Sequence, residues 1–195
     1  MIKSALAGIL LACVAGSTSA ATVTFDPLEQ PGTGFQDMMV YLEGDFMLAS
    51  GGFGSAQQQN ADWYAGSAGL FNDSSIAVSL SRWDERRFTL NAIDLAPLSA
   101  TYSGGALVTF TGLGDGGRTV VQSFNVGDKF TFTTFRFDGF SNLHTVIWEQ
   151  DYPYHQFDNI VLDAGTVPEP GTLALLGLGL MGLAAVRRNR VQAAP

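Results

Sequence analysis

Between residues 22 and 166 the chain consists of short runs rich in Phe, Val, Thr and Ile, separated by Gly, Asp and Asn. These runs show no sustained helical period, and their turn residues are typical of a β-sandwich. Eight runs have strand length, which favours an all-β, jelly-roll-like sandwich of two sheets over a propeller or a helical fold. The predicted strands are Thr22–Phe25, Ser75–Leu80, Phe88–Leu95, Ala106–Thr111, Arg118–Phe124, Phe130–Phe137, Thr145–Trp148 and Phe157–Leu162.

Other stretches of this body, as we call residues 22–166, predict irregular structure. Leu113–Gly117 contains Gly and Asp in the pattern of a turn between two strands. In the run from 130 to 137 the alternation slips at Thr133-Thr134, which predicts a β-bulge. Residues 29–74 are rich in Gly, Gln, Asn and Ser around Ser50–Asn60, which predicts long loops or an irregular cap over one end of the sandwich.

The N-terminus has the pattern of a secretory signal peptide. Lys3 precedes the apolar run Ala5–Ala15, and small residues follow, which predicts a signal helix over residues 1–21 with cleavage after Ala20 or Ala21. The alternative is a lipobox that would make Cys13 a lipidated N-terminus. With ordinary cleavage the exported chain has no cysteine, so its stability must come from a hydrophobic core.

The body is strongly acidic. It carries six Lys and Arg residues against seventeen Asp and Glu, a net charge of about −11. Such a field repels nucleic acid and anionic lipid, so nucleic acid is excluded as a partner. The charge fits a soluble extracellular domain that is able to hold cations.

The last part of the chain has three segments. Val167, Pro168, Glu169 and Pro170 open it, and the two prolines predict an extended, exposed start. From Pro170 to Val186 no residue is charged, which as a helix is roughly 26 Å long. This length is near the lower limit for a helix that crosses a bilayer core of ~30 Å, so a single transmembrane helix is predicted. A basic cluster follows the span and is predicted to stay in the cytoplasm: Arg187, Arg188 and Arg190. Residues 191–195 form a short tail after it.

Residues 167–190 resemble the PEP-CTERM signal of Gram-negative bacteria, which is also catalogued as an ice-binding protein C-terminal domain. The resemblance implies recognition and cleavage near the Pro-Glu-Pro box by an exosortase. The helix is then a transient membrane anchor. The protein passes through an inner-membrane intermediate to the outer membrane, cell surface or extracellular matrix. The GxGxxG pattern at Gly177–Gly182 lacks the acidic residue about 20 positions later that a dinucleotide site needs.

A looser resemblance covers the second half of the body. This part of the chain resembles the globular part of other PEP-CTERM proteins. It is also similar to jelly-roll domains of the kind that carry carbohydrate-binding modules. The resemblance implies a non-catalytic protein that binds carbohydrate or has a structural role in an exopolysaccharide layer. The matching stretches are Phe88–Leu95, Val108–Gly112, Phe140–Leu143, Val146–Trp148 and His155–Ile160.

Four residues are candidates for a ligand platform, because sugars present C–H patches beside hydroxyls and bind flat aromatic faces near amides and carboxylates. They are Trp63, Tyr152, Tyr154 and His155. The alternative is that an aromatic residue of a sandwich packs in the hydrophobic core and does not bind ligand. We assign Trp148 to the core.

A structural Ca²⁺ ion is the one cofactor considered. The resemblance to jelly-roll binding modules implies that Asp158, on the last strand, joins acidic residues near the N-terminus, here Asp26 and Glu29. Ca²⁺ takes six to eight oxygen ligands, so carboxylates are suitable. The alternative is that Asp158 and Asn159 only hydrogen-bond loop backbone.

The alternative function is a secreted, glycosidase-like, polysaccharide-modifying enzyme. Glu43 and Asp45 on one strand would lie about 6.6 Å apart, a spacing compatible with paired carboxylates. The chain contains no GxSxG, HExxH or P-loop motif, so we predict that it is not an enzyme. Ice binding would need a regular Thr array, and Thr131, Thr133 and Thr134 break register.

Overall fold

The computed structural model describes residues 18–101 and 105–166. The predicted signal peptide up to residue 17, Cys13, and the sorting motif from Val167 to Arg190 lie outside these residues. Short 3₁₀ helices cover Asp26–Leu28 and Asp115–Gly117. The strands are β1 Thr18–Val23, β2 Phe35–Glu43, β3 Phe46–Ala56, β4 Leu70–Phe71, β5 Ala77–Arg82, β6 Thr89–Pro97, β7 Ala106–Gly114, β8 Thr119–Val126, β9 Thr133–Arg136, β10 Leu143–Glu149 and β11 His155–Thr166.

The strands form one strongly folded sheet with two layers. Its hydrogen-bonded order is β8-β7-β10-β5-β3-β4-β11-β6-β9, with β2 added on β3 and β1 on β11. The long strand β3 connects the layers, because its first half pairs with β5 and its second half contacts β4 at Gly54. The all-β, jelly-roll-like sandwich is therefore confirmed.

The hydrophobic core lies between the two layers, within a compact unit from Thr18 to Gly165. Trp148 of β10 packs edge-on against Phe157 of β11, with ring centroids 5.1 Å apart. Phe124 of β8 contacts Phe135 of β9 at the same centroid distance. Trp148 is 1% exposed, which confirms its assignment to the core. Large buried rings of this kind dominate the energetics of a core.

A side chain connects the two ends of the sheet. The amide of Gln122 on β8 donates to the carbonyl of Arg136 at 3.1 Å and accepts from the N–H of Asp138 at 3.0 Å. The sheet is thus nearly closed, which covers part of the two edge strands β8 and β9.

Each of the eight predicted strands overlaps an observed one. The predicted turn at Leu113–Gly117 is also present, since β7 ends at Gly114 and a 3₁₀ turn leads into β8. The bulge predicted at Thr133-Thr134 is wrong, because β9 begins at Thr133 and the slip marks the start of the strand.

The prediction for residues 29–74 is largely wrong. Instead of loops, this region contains the β2–β3 hairpin, turned at Gly44 with φ +58°, and the short strand β4. Glycines in β3 and a register shift between Met38 and Val40 hide the alternation that identifies a strand. Pairing and burial of residues such as Tyr41 override the low strand propensity of glycine.

The N-terminal boundary of the body at residue 22 stays a prediction. Ala20 and Ala21, after which signal peptidase cleavage is predicted, lie within β1, which pairs with β11. The helices within residues 18–101 and 105–166 are short 3₁₀ turns, and none of them could span a bilayer.

Candidate functional site

A groove of about 600 Å³ opens beside the β2–β3 hairpin, and we call it the hairpin groove. Its volume lies in the range of ordinary ligand sites. The lining residues come from β2, β3, β4, the loop before β4 and the segment between β4 and β5: Phe35, Asp37, Met38, Met39, Gly51, Gly52, Phe53, Gly54, Trp63, Phe71, Asn72, Asp73, Ser74 and Ile76.

Three aromatic rings form a triangle in this groove. Trp63 lies 5.2 Å from Phe35 and 5.2 Å from Phe71, and Phe35 and Phe71 are 5.9 Å apart, all between ring centroids. Phe35 is 45% exposed, whereas Phe71 is 6% exposed. Phe71 therefore supports the other two rings from below, and a ligand meets Phe35 and the half-buried Trp63.

Glycines of β3 provide space for this triangle. A Cβ atom on Gly54 would lie 2.5 Å from Cζ of Phe71, and one on Gly51 would lie 2.7 Å from Cδ1 of Ile76. Any side chain at these two positions would collide with the groove wall. The backbone of β3 is thus approached closely by apolar side chains, a common reason for glycine within a strand.

Polar groups stand beside the rings. The carboxyl groups of Asp37 and Asp73 are on exposed residues of the lining. The buried Asn72 amide donates to the Ser50 hydroxyl at 3.0 Å and to a carbonyl of β3, and it accepts from the N–H of Ser74 at 2.7 Å. The groove thus offers flat apolar faces next to fixed hydrogen-bonding groups.

The structure separates the predicted aromatic candidates. Trp63 lines the hairpin groove, but Tyr152 and Tyr154 do not. These two tyrosines pack edge-to-face, 5.8 Å apart, where the chain leads from β10 into β11, and Tyr152 is 69% exposed. They remain a separate candidate platform.

His155, the fourth predicted ligand contact, is buried and does not line the hairpin groove. It is 1% exposed and lies two residues before the core residue Phe157, on the same inward face of β11. Burial lowers the pKa of its imidazole to about 3, so the ring is neutral at physiological pH. Neither ring nitrogen has a hydrogen-bond partner among the described residues.

Two of the three acidic residues proposed as calcium ligands, Asp158 and Glu29, already have internal partners. Asp158 is buried and accepts from the Ser67 hydroxyl and from the N–H of Asn159, and burial raises the pKa of its carboxyl to about 6. Glu29 accepts from the Tyr64 hydroxyl at 2.8 Å. Within the described residues no three His, Cys, Asp or Glu side chains are placed to hold one metal ion. Calcium at Asp26, Glu29 and Asp158 stays a prediction.

The predicted carboxylate pair of Glu43 and Asp45 is wrong in its geometry. Glu43 ends β2 and accepts from the Tyr41 hydroxyl at 2.7 Å and from the N–H groups of Thr24 and Phe25. Asp45 lies in the hairpin turn and forms an ion pair with Arg82 at 3.0 Å. The two residues do not share a strand face, and both carboxylates already bind other groups of the fold.

The sequence pattern did not indicate several residues of the hairpin groove, above all Phe35, Phe71 and Asn72. The sequence held one usable indication. Gly51, Gly52 and Gly54 surround Phe53 in a strand-length segment, and glycine inside a strand often marks the close approach of a ligand or another chain segment.

Comparison with known proteins identifies the tail. The PEP-CTERM protein-sorting motif matches residues 166–189, which confirms the resemblance found at Val167–Arg190. Together with the fold, this defines an exported β-sandwich protein. The chain carries the C-terminal signal of proteins that an exosortase processes in Gram-negative bacteria. No curated protein sequence matches the chain.

Several solved structures are similar to this chain. CBM29_1, a family 29 carbohydrate-binding module from Piromyces equi, has 15% identity and a TM-score of 0.42, covering 79% of this chain and 95% of the module. Another family 29 module has 11% identity and a TM-score of 0.36, covering 76% and 90%. A ruminal GH26 endo-β-1,4-mannanase has 22% identity and a TM-score of 0.34, covering 54% and 21%.

Proposed function

We propose that this protein is an exported, exosortase-sorted component of the cell surface or extracellular matrix that binds carbohydrate without catalysis. The observation that carries the proposal is the hairpin groove, where the rings of Phe35 and Trp63 are accessible beside the carboxyl groups of Asp37 and Asp73. A role in an exopolysaccharide layer follows from combining this groove with the sorting motif.

The chemistry of the groove matches the chemistry of a sugar ring. A pyranose has C–H patches that pack on aromatic faces, and hydroxyls at its rim that donate to carboxylates and accept from amides. The groove supplies both kinds of group, and ligand sites typically combine an apolar lining with a few placed polar groups. Phe71 and the glycines of β3 hold the rings in position before the ligand arrives, which lowers the entropic cost of binding.

The charge of the body favours a neutral polysaccharide. Asp37 and Asp73 lie in the groove, and the whole body has a net charge of about −11. A polymer rich in uronic acids or sulfate would be repelled by this field at low ionic strength. We therefore expect neutral glycans to bind more tightly than anionic ones.

The positions of Glu43 and Asp45 do not support the alternative function as a polysaccharide-modifying enzyme. Glu43 accepts hydrogen bonds from the Tyr41 hydroxyl and from two backbone N–H groups, and Asp45 is paired with Arg82. Neither is held opposite the other across a space for a substrate. A glycosidase would need two facing carboxylates at one scissile bond.

The sorting signal and the groove act at different times in this proposal. The Pro-Glu-Pro box, the apolar span and Arg187, Arg188 and Arg190 engage the membrane and the exosortase during export. The span is removed with processing, so the exported body carries the lasting activity.

Calorimetric titration of residues 18–166 with neutral and anionic polysaccharides tests this function. We expect binding of a neutral polymer, with an affinity at least ten-fold lower in Trp63→Ala, because losing an aromatic anchor typically costs more than about 1.4 kcal/mol. Tyr152→Ala, an exposed aromatic outside the groove, is the matched control and should bind as the wild type does. Loss of binding in Tyr152→Ala alone would move the site to the tyrosine pair, and sugar release by the wild type would favour the enzyme.

A further inference from the structure

The outer face of the sheet continues from the hairpin groove along β3 and β5. Ala49 pairs with Ser79, and Met47 pairs with Ser81. Their neighbours Leu48 and Leu80 are buried in the core, so these four side chains point to the outside. The centre of this outer face thus carries small or unbranched, uncharged side chains.

Branched side chains border this centre on both sides. Across β2, Val40 lies opposite Ala49 and Leu42 opposite Met47. Across β10, Ile147 lies opposite Ser79 and Thr145 opposite Ser81. The four strands therefore carry two uncharged rows, which together we call the trough: Val40, Ala49, Ser79 and Ile147 in one, and Leu42, Met47, Ser81 and Thr145 in the other.

The trough joins two recesses. One end meets the hairpin groove, whose lining includes Gly51 of β3 and Ile76 just before β5. The other end meets a recess of about 430 Å³, whose lining includes Met47, Ser81, Thr145 and Trp83. Trp83 is 62% exposed, which is unusual for so large an apolar ring. Ile76 and Ser81 are five residues apart, so the trough spans roughly 17 Å along the strands.

We propose that the hairpin groove, the trough and the Trp83 recess form one continuous track that binds an extended, neutral polysaccharide chain along β3 and β5. This inference rests on the function proposed above and extends it. The protein then binds an internal segment of the polysaccharide and not the end of the polymer. Trp63 and Trp83 are the anchors at opposite ends of the track.

Two observations select this occupant. The rows of the trough are uncharged although the body has a net charge of about −11, which suits a polymer that is itself neutral. The trough also opens directly into a groove whose rings and carboxyl groups suit sugars. Glu149 pairs with Ala77 and borders the trough near the groove, where its carboxyl group can accept from hydroxyls.

A second copy of the chain is a weaker candidate for this face. Four strands at about 4.8 Å spacing and a length of roughly 17 Å give an area of roughly 300 Å². A stable protein interface buries about 800 Å² on each partner. The trough is therefore too small to hold a dimer together.

The test is titration of residues 18–166, the part that contains every described strand, with cello- and manno-oligosaccharides of two, four, six and eight units. We expect wild-type affinity to rise with length. Trp83→Ala should weaken binding of the six- and eight-unit chains at least five-fold and leave the shortest binding ligand unchanged. Trp63→Ala should weaken all lengths. Ser79→Glu puts a long side chain into the middle of the trough without touching either Trp. Because this side chain obstructs the path of the polysaccharide, the variant should reproduce the effect of Trp83→Ala.

The outcomes separate the two proposals. If Trp63→Ala weakens binding but Trp83→Ala and Ser79→Glu leave long-chain affinity unchanged, the track is wrong and the groove stands. If the wild type binds no oligosaccharide of either series and no neutral polysaccharide, the carbohydrate function itself fails. A concentration-dependent dimer in sedimentation equilibrium that Ser79→Glu dissociates would assign the trough to a second copy and overturn the track.

Discussion

Replacing Gly54 by alanine adds one methyl group where the aromatic triangle rests on β3. The new Cβ would lie 2.5 Å from Cζ and 2.7 Å from Cε2 of Phe71, well inside ordinary van der Waals contact. Phe71 cannot simply move away, because it is 6% exposed and packs against Phe35 and Trp63. The substitution must therefore displace the rings that we assign to ligand binding.

The expected magnitude follows from two opposing effects. Overpacking of this kind costs about 1–3 kcal/mol. Alanine in place of glycine restricts the unfolded chain and returns about 0.4–1 kcal/mol. The net loss of about 1–2 kcal/mol lowers the Tm of a domain of this size by about 2–8 °C. Gly52→Ala is the matched control in the same strand, because nothing lies within 4 Å of its Cβ position, and it should not lower the Tm.

Thermal unfolding of residues 18–166 and titration with a bound polysaccharide measure both consequences. Gly54→Ala should be less stable and bind more weakly than Gly52→Ala. Adding Phe71→Leu to Gly54→Ala should recover part of the stability, since the two positions are in contact and their effects are not additive. Equal stability and equal affinity of the two alanine variants would refute the packing of Phe71 on the β3 backbone.

Three further predictions concern other parts of the chain. His155 should lower the free energy of unfolding of the body as pH drops from about 6.5 towards 3, because the unfolded imidazole gains a proton there and the buried one, with a pKa of about 3, does not. The raised pKa of Asp158, about 6, acts in the opposite direction below pH 6, so the test is the difference between the wild type and His155→Leu. This difference should shrink as pH falls, and a difference that does not change with pH would contradict the burial of a neutral ring. The calcium hypothesis for Asp26, Glu29 and Asp158 expects Ca²⁺ to raise the Tm of the wild type but not of Asp158→Asn, and equal Tm values in Ca²⁺ and EDTA would rule the site out. Deleting residues 167–195 should abolish surface sorting in cell fractionation while leaving the body folded, so normal display of the truncated protein would disprove the role of the tail.

The fold was predictable where burial produces alternation. In β5 and β7 one face packs in the core and the other meets solvent or polar neighbours, so the sequence shows the period of a strand. The β2–β3 hairpin was not predictable in this way. The glycines of β3 and the register shift at Met38 remove the alternation, and only the tertiary pairing reveals the strands.

The candidate site was predictable only in part for a related reason. Trp63 could be selected as an aromatic residue that follows a polar stretch, and it does line the groove. His155 looked equally accessible beside two tyrosines, but strand alternation directs it into the core. Phe35 and Phe71 are 36 positions apart in the sequence, and their contact depends on pairing between β2, β3 and β4 that local pattern does not encode.

Affinity electrophoresis in gels containing the host's own exopolysaccharide tests the central claim most directly. The groove predicts that the wild-type body, residues 18–166, is retarded in proportion to polymer concentration. Trp63→Ala should migrate almost as it does without polymer, whereas Tyr152→Ala should be retarded as strongly as the wild type. Equal retardation of the wild type and Trp63→Ala would contradict the assignment of carbohydrate binding to the hairpin groove.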